Sequence, residues 1–225
     1  MIKNIFILFV LCWQLHASYP NLSPVTVRHK IEEILKTHVS HNMISPEIAK
    51  RILGNFLEII DPSKTYLTKN EVEKWLQPSD DMIAKIILDF RCASYPTFKA
   101  IHREMVAAIK RRALLEEGLT SNSPIDKSLE EESLDIATWT ADENGLKKRI
   151  LHLQILSKKT ASLLDAEQKK LYLNMIQKRR QLREEKICDK ISQEKWLFTH
   201  ILKAVCLALD PNTNYFTPTA AGQFM

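Results

Sequence analysis

Glycine scarcity limits most strongly what this chain can fold into. The sequence has 4 glycines in 225 residues, whereas an average protein contains about 7% glycine. Glycine supplies the positive-φ turns of many β-hairpins and the close backbone approach of phosphate-binding loops. Gly54, Gly118, Gly145 and Gly222 are isolated from one another, so neither a GxGxxG nor a P-loop motif can be written. The sequence predicts an all-α protein and excludes nucleotide-binding α/β folds and β-barrels.

Capping signals predict a helical array of six or more helices, with no credible pair of strands. Serine followed by proline, and threonine followed three residues later by glutamate, mark helix starts. These signals are Ser23-Pro24, Ser45-Pro46, Thr68 with Glu71, and Thr140 with Glu143. A longer helical stretch over residues 80–117 is expected to kink or break at Pro96.

The first seventeen residues have the pattern of an export signal. Lys3 precedes the apolar run Ile5–Leu15, and the small Ala17 follows it. This run is shorter than the ~20 residues that a membrane-spanning helix needs. We predict that residues 1–17 are a cleaved signal peptide. An uncleaved anchor and a buried N-terminal helix are the alternatives.

Composition divides the remainder into three segments. Residues 18–117 are predicted to form an N-terminal helical subdomain, 118–138 an acidic linker and 139–225 a C-terminal helical subdomain. Residues 19–138 contain 16 basic and 18 acidic side chains, whereas residues 139–225 contain 15 and 9. Net positive charge is therefore concentrated in the C-terminal part.

One helix end occurs twice, at a constant offset of 149 residues. Residues 56–75 read FLEIIDPSKTYLTKNEVEKW, and residues 205–224 read VCLALDPNTNYFTPTAAGQF. The matched positions are Asp61 with Asp210, Pro62 with Pro211, Tyr66 with Tyr215 and Thr68 with Thr217. In each copy we expect a helix to end at Asp-Pro, a polar turn to reverse the chain and the tyrosine to pack back. A common helix–turn–helix joint with no function of its own is the alternative.

These joints resemble a known family. The run LDPNTNYFTP after an amphipathic helix resembles the joint that precedes the PDZ domain in tail-specific (carboxy-terminal processing) proteases. The runs LEIIDPSKTYLTKNEVEKW and WTADENGLKKRI are similar to the N-terminal helical domain of the longer, exported members. The resemblance covers most of residues 25–225 in layout, and the two Asp-Pro-x-x-x-Tyr joints are its specific part.

The resemblance implies a periplasmic serine endopeptidase with a Ser-Lys catalytic pair, which recognises apolar C-terminal tails of proteins through a PDZ domain. The sequence ends at Met225, just after the second joint, so no catalytic residue can be carried over. The matched positions are structural in that family: Asp61, Pro62, Tyr66, Asp210, Pro211 and Tyr215.

We therefore expect a non-catalytic N-terminal scaffold fragment, with no activity of its own and no cofactor. Its expected partners are PDZ and peptidase domains in the same or a separately encoded chain, with a homodimer as a further option. A free-standing exported helical interaction module is the alternative.

Two further patterns imitate reactive sites. Ser192 and Lys195 have the SxxK spacing of some serine acyltransferases, but no glycine-rich oxyanion stretch accompanies them, so Ser192 is interpreted as a helix N-cap. His38 and His41 lie three residues apart without a third ligand at a suitable spacing, so they are interpreted as solvated rather than metal-binding.

Three cysteines lie outside the predicted signal peptide, at Cys92, Cys188 and Cys206. Their number and spacing fit neither a full disulfide framework nor a zinc site. We interpret them as buried small hydrophobic residues, and one disulfide with a free thiol stays open.

Basic clusters occur throughout the C-terminal part. They are Lys147-Lys148-Arg149, Lys158-Lys159, Lys169-Lys170 and Lys178-Arg179-Arg180-Arg183. Aromatic residues among them are few, which argues against a nucleic-acid interface. We interpret the clusters as solvated helix faces, with contact to a partner subunit or a membrane surface as the next possibility.

Overall fold

A computed structural model describes residues 22–122, 137–211, 213–217 and 221, and in this part of the chain the secondary structure is helical throughout. The eight helices are α1 (Pro24–Thr37), α2 (Pro46–Ile60), α3 (Lys69–Leu76), α4 (Asp80–Arg91), α5 (Pro96–Asn122), α6 (Glu143–Ser162), α7 (Ala166–Cys188) and α8 (Gln193–Leu209). The predicted all-α class with six or more helices is confirmed. The predicted signal peptide, residues 1–17, lies outside the described residues, as do residues 123–136 of the predicted linker.

Side-chain caps fix several helix starts as the sequence predicts. The Ser45 hydroxyl accepts the amide of Ile48 at 3.3 Å at the start of α2. At α3, the Glu71 carboxylate accepts the backbone N–H of Thr68 at 2.7 Å, which is the glutamate half of a capping box. These local bonds replace hydration of amides that have no partner within the helix.

The start of α6 differs from the prediction. Its N-cap is Asp142, whose carboxylate accepts the amide of Gly145 at 2.8 Å, rather than Thr140. The Thr140 carbonyl instead accepts the Lys69 amide at 2.8 Å, which joins this segment to the start of α3. The N-cap therefore lies two residues later than predicted, and the predicted residue, Thr140, makes a long-range bond in its place.

The expected break before Pro96 is present. α4 ends at Arg91, Ala93 takes a φ of 51°, and α5 begins at Pro96. α5 then continues past Glu117 to Asn122. The proline occupies the first helical position, where its missing N–H has no partner to lose.

The main core is centred on α2 and α8, which pack against each other. Aromatic residues from α4 and α5 join it, with Phe56 edge-on to Phe98 at 5.0 Å between ring centroids and Phe90 edge-on to Phe98 at 5.7 Å. α1 packs on α8, and both α3 and α4 pack on α2. One continuous core therefore contains residues from both ends of the described chain.

α2 and α8 bury equivalent positions. Adding 149 to each of the buried positions of α2 gives a buried position of α8 in every case. The α2 positions are Ile48, Ala49, Ile52, Leu53, Phe56, Leu57 and Ile60. The Asn55 amide donates to the carbonyl of Ala204 at 3.5 Å, and these two residues are also 149 apart. Contact between equivalent positions indicates that the two helices cross about a local pseudo-twofold axis.

α6 and α7 form an antiparallel hairpin at one side of this core. Its base is held through a small cluster of Leu115, Leu146 and Ile150 and through Ile187, which is the buried residue of α7. The hairpin also contacts α5 and α8. Within the described residues, no helix is both long enough and apolar enough to cross a bilayer.

Candidate functional site

The first corner, residues 61–68, is organised by a buried carboxylate. Asp61 ends α2, and its side chain is fully buried. Its two oxygens accept the backbone amides of Thr65 at 2.9 Å, Tyr66 at 3.3 Å and Leu67 at 3.0 Å. The Lys64 amide also donates to the Asp61 carbonyl at 3.0 Å, and Lys64 takes a φ of 49°. The carboxylate thus replaces water for three successive amides of the turn.

Tyr66 is the aromatic anchor of the first corner. Its ring is buried, with the Arg112 guanidinium 4.6 Å from the ring centroid. Its hydroxyl donates to the Glu184 carboxylate of α7 at 2.7 Å. Burial raises the pKa of the Tyr66 hydroxyl well above its ordinary value, while the nearby Arg112 charge opposes that rise. The hydroxyl therefore acts as a hydrogen-bond donor near neutral pH.

Arginines from α5 join the first corner to α3. Arg111 donates to the Tyr66 carbonyl at 2.5 Å and to the two oxygens of Glu71 at 2.6 and 2.9 Å. Arg112 donates to the Thr65 hydroxyl. Partial burial acts to raise the pKa of Glu71, but the Arg111 bond and the Thr68 bonds together lower it below its usual value.

Arginines from α6 and α7 complete the enclosure. Arg149 is 3% exposed and donates to the carbonyls of Lys64 at 3.0 Å and Thr138 at 2.8 Å. Arg183 donates to the Ile60 carbonyl at the end of α2. Guanidinium groups suit this role because several donors in one plane can satisfy carbonyls from different segments.

The second corner, residues 210–217, repeats three backbone bonds of the first. The Asp210 amide donates to the Cys206 carbonyl at 3.1 Å, as that of Asp61 does to Leu57 at 3.0 Å. The Thr213 amide donates to the Asp210 carbonyl at 3.0 Å, and the Ala221 amide to the Thr217 carbonyl at 2.8 Å. Both latter bonds have counterparts 149 residues earlier, from Lys64 and from Val72.

The side chains of the second corner are more exposed than their counterparts. Asp210 is half-buried and accepts the Thr213 hydroxyl at 3.2 Å. Tyr215 is half-buried against the main core. Phe216 is 50% exposed, whereas Leu67 at the equivalent position is 0% exposed. The two corners therefore share these three backbone bonds but differ in how exposed their side chains are.

The six joint residues named from the sequence lie at these two corners, three at each. Sequence reasoning missed the arginines that enclose the first corner. The basic clusters were interpreted as solvated, and this is wrong for Arg149, Arg180 and Arg183. Arg180 pairs with Glu116, while the other two donate to backbone carbonyls. One available signal was that Arg149 shares a helix face with Leu146 and Ile150, an apolar face where a charge must find a buried partner.

The other predicted features take ordinary structural positions. Ser192 occupies the N-cap position of α8 as predicted, but its side chain makes no capping bond, and its hydroxyl donates to the Lys186 carbonyl at 3.3 Å. His38 and His41 stack at 5.2 Å, and the His38 Nδ1 accepts the amides of Ser40 and His41 at 3.2 and 3.1 Å. Across the described residues there is no group of three or more His, Cys, Asp or Glu side chains suited to a metal.

The cysteines correct one expectation. Cys206 is buried, but Cys92 and Cys188 are exposed, and all three are free thiols. Cys92 and Cys188 are located at the C-terminal ends of α4 and α7. These two helix ends lie at the surface, unlike the buried end of α2 at Asp61, so the preference of cysteine for burial did not decide their environment.

Comparison with known proteins supports the sequence resemblance. Residues 30–219 match the family model described as the tail specific protease N-terminal domain. This span includes both corners and all eight helices except the first turns of α1. A search of curated proteins found no match. With most of its length matched, the chain belongs to the tail-specific protease N-terminal domain family.

Proposed function

We propose that this chain is the non-catalytic N-terminal scaffold of an exported tail-specific serine endopeptidase, an enzyme that degrades proteins by their apolar C-terminal tails. Its second corner would seat the PDZ domain, whether that domain belongs to the same chain or to a separately encoded one. Membership of the family supports the class of enzyme.

The difference in side-chain exposure between the two corners is the main support for this proposal. Leu67 of the first corner is enclosed within the protein, while Phe216 keeps half of its surface exposed at the equivalent position. Leu207, in the last turn of α8, is also exposed. Burying these two side chains would stabilise an interface by about 25 cal/mol per Å² of apolar surface. The second corner thus has exposed apolar surface at Phe216, whereas the equivalent Leu67 of the first corner has none.

The polar groups of the first corner support a scaffold role. The Asp61 carboxylate holds backbone amides, and the side chains of Arg111 and Arg149 hold backbone carbonyls. Such bonds fix the relative positions of α2, α3, α5 and α6. A rigid arrangement of helices is what a domain needs to position another domain.

A binding experiment tests the seat. The purified chain would be titrated with the PDZ–peptidase region of a tail-specific protease, and the dissociation constant measured by calorimetry. Phe216→Asp should weaken binding at least tenfold, because it places a charge in an apolar contact. Leu88→Asp, an exposed apolar position on α4, is the matched control and should change binding less than twofold. Equal binding by the Phe216 variant and the parent would refute the proposed contact between the second corner and the PDZ domain.

An activity assay tests the non-catalytic role. The chain alone should hydrolyse neither casein nor peptides with apolar C-terminal tails. Hydrolysis that Ser192→Ala abolishes would contradict this role and favour a Ser192–Lys195 site.

The DNA after codon 225 distinguishes the scaffold from the alternative, a free-standing exported helical interaction module. A PDZ and peptidase sequence encoded there favours the scaffold, and an unrelated sequence favours the module.

Export is tested separately, by cell fractionation and by sequencing the N-terminus of the mature protein. Cleavage after Ala17 would leave Ser18 as the first residue, with the protein outside the cytoplasm. A mature protein that keeps residues 1–17 in the cytoplasmic fraction would refute export.

A further inference from the structure

Charge is concentrated on the α6–α7 hairpin. Residues 147–183 contain 11 basic and 2 acidic side chains, a net charge of +9, whereas the whole chain has a net charge of +5. Arg149, Arg180 and Arg183 point to partners within the protein. The eight remaining basic side chains are exposed. They are Lys147, Lys148, Lys158, Lys159, Lys169, Lys170, Lys178 and Arg179.

The hairpin tip, residues 158–170, ends in two leucines that face solvent. Leu163 and Leu164 form the turn between α6 and α7 and are 85% and 36% exposed. Local bonds already hold this turn, since the Leu163 amide donates to the Thr160 carbonyl at 3.2 Å and the Asp165 carboxylate caps α7 by accepting the Gln168 amide at 2.8 Å. Forming the turn does not require apolar side chains, so the leucines are available for an external contact.

The tip lysines lie at matched positions on the two helices. Lys158 and Lys159 come four or five residues before Leu163, and Lys169 and Lys170 come four or five residues after Asp165. At a rise of 1.5 Å per residue, both pairs lie about 6–8 Å below the end of the hairpin. Apolar side chains enter a lipid surface by about 5–10 Å, with cationic groups at the headgroups. The spacing fits that arrangement from both sides of the tip.

From these features we propose that the hairpin tip docks on a membrane surface rich in anionic lipid, with Leu163 and Leu164 inserted and the four tip lysines at the headgroups. The leucines favour lipid over nucleic acid, because an acyl-chain surface accepts apolar side chains directly, whereas a duplex accepts them only by unstacking a base step, which costs a few kcal/mol. This docking is peripheral, and it is independent of the proposed function.

The chain offers a matched control at the other end of α7. Ile191 lies in the turn between α7 and α8 and is 93% exposed. Residues 184–195 around it contain four acidic and three basic side chains, a net charge of −1, whereas the tip residues 158–170 contain two acidic and four basic side chains, a net charge of +2. Ile191 therefore has the exposure of Leu163 without the net positive charge around it.

Fluorescence tests insertion of the hairpin tip in the full chain. A local probe is needed because the apolar run Ile5–Leu15 could itself bind lipid. L163W and I191W would be mixed with vesicles of equal parts phosphatidylcholine and phosphatidylglycerol at about 0.01 M salt, where charges act over about 30 Å. The difference spectrum of L163W against the parent should shift to the blue and be quenched by brominated lipid, and that of I191W should not. Equal shifts in both, or none in either, would overturn the proposal.

Partitioning by sedimentation tests the charges and the leucines separately. Each lysine near an anionic surface contributes about fivefold, so replacing the four tip lysines by glutamine should lower partitioning at least about 100-fold. The control replaces four lysines that are exposed elsewhere, Lys36, Lys69, Lys85 and Lys110. This change should lower partitioning much less than replacing the four tip lysines does. Leu163→Asp should lower it about tenfold or more, and Ile191→Asp less than twofold.

Competition identifies the class of partner. If duplex DNA or an acidic polypeptide binds the tip equally well with Leu163→Asp, the surface is a general polyanion site and the lipid proposal is wrong. The effect of Leu163→Asp would also be compared between vesicles of phosphatidylcholine alone and anionic vesicles. If the variant lowers partitioning equally in both, the proposed role of charge is wrong.

Discussion

One carboxylate holds the backbone amides of the first corner. Asp61 accepts three backbone amides in a fully buried position, while Asp210 at the equivalent position is half-buried. Each buried amide that loses its partner costs about 1–3 kcal/mol. We expect the same residue type to contribute less to stability at the more exposed second corner.

Alanine at each position should reveal this difference. We expect Asp61→Ala to lower the free energy of unfolding by about 4 kcal/mol and Asp210→Ala by about 1 kcal/mol. Urea denaturation followed by circular dichroism measures both. Losses of similar size would show that burial of the carboxylate does not set its contribution.

His200 makes stability depend on pH. Its ring stacks on Trp196 at 4.0 Å, and its Nδ1–H donates to the Trp196 carbonyl at 2.6 Å. Burial lowers the pKa of His200 to about 4 from an ordinary value of 6.5, with further lowering by the charges of Lys203 and Arg183. The unfolded chain takes up the proton near pH 6.5 and the folded chain near pH 4.

The free energy of unfolding should therefore fall as pH decreases from 6.5 towards 4, by up to about 1.4 kcal/mol per pH unit from this group. His200→Phe keeps a ring on Trp196 and removes the titration, so its stability should depend less on pH in that window. Chemical denaturation of both proteins at pH 7, 6 and 5 measures the difference. Parallel curves for variant and parent would exclude His200 as the source.

At the scale of elements, most helix starts follow from local capping, and their serines provide a comparison. The Ser79 hydroxyl accepts the Met82 amide at 3.3 Å at the start of α4. The Ser192 side chain does not cap α8, because Ser192 has helical backbone angles (φ −94°, ψ −15°) in place of the extended ones of a typical N-cap. Its amide donates to the Asp189 carboxylate at 2.9 Å.

Ser79→Ala should lower the free energy of unfolding by about 1 kcal/mol, as expected for loss of an N-cap. Ser192→Ala should lower it by less than about 0.5 kcal/mol. Thermal and urea denaturation of the two variants measure this pair. A larger loss for the Ser192 variant would indicate a structural role that its bond to the Lys186 carbonyl does not explain.

At the scale of the whole molecule, the core joins residues far apart in sequence. α2 packs on α8, and one cluster contains Trp75 of α3 together with Leu197 and Ile201 of α8. Helices that share a core lose their contacts together when either one unfolds. The predicted division at residues 118–138 remains a prediction about sequence segments, and it need not coincide with a division in stability.

We therefore expect one cooperative unfolding transition. Two variants that each keep one tryptophan, Trp75 in α3 or Trp196 in α8, should have the same urea midpoint by fluorescence. The other tryptophans would be replaced by phenylalanine, and circular dichroism would show that each variant folds. Separate midpoints would mean that the two ends of the chain unfold as independent units.

The sequence by itself determined the helical class, most helix boundaries and the existence of two matching corners. Glycine scarcity, serine caps and Asp-Pro stops act within a few residues, so they can be interpreted without knowing the fold. Only the tertiary structure decided that Arg149 is buried while neighbouring Lys148 is exposed, and that Leu67 is covered while Phe216 is not. Burial depends on which distant helix lies alongside, and residues 85 positions apart, such as Arg149 and Lys64, meet only when the core has formed.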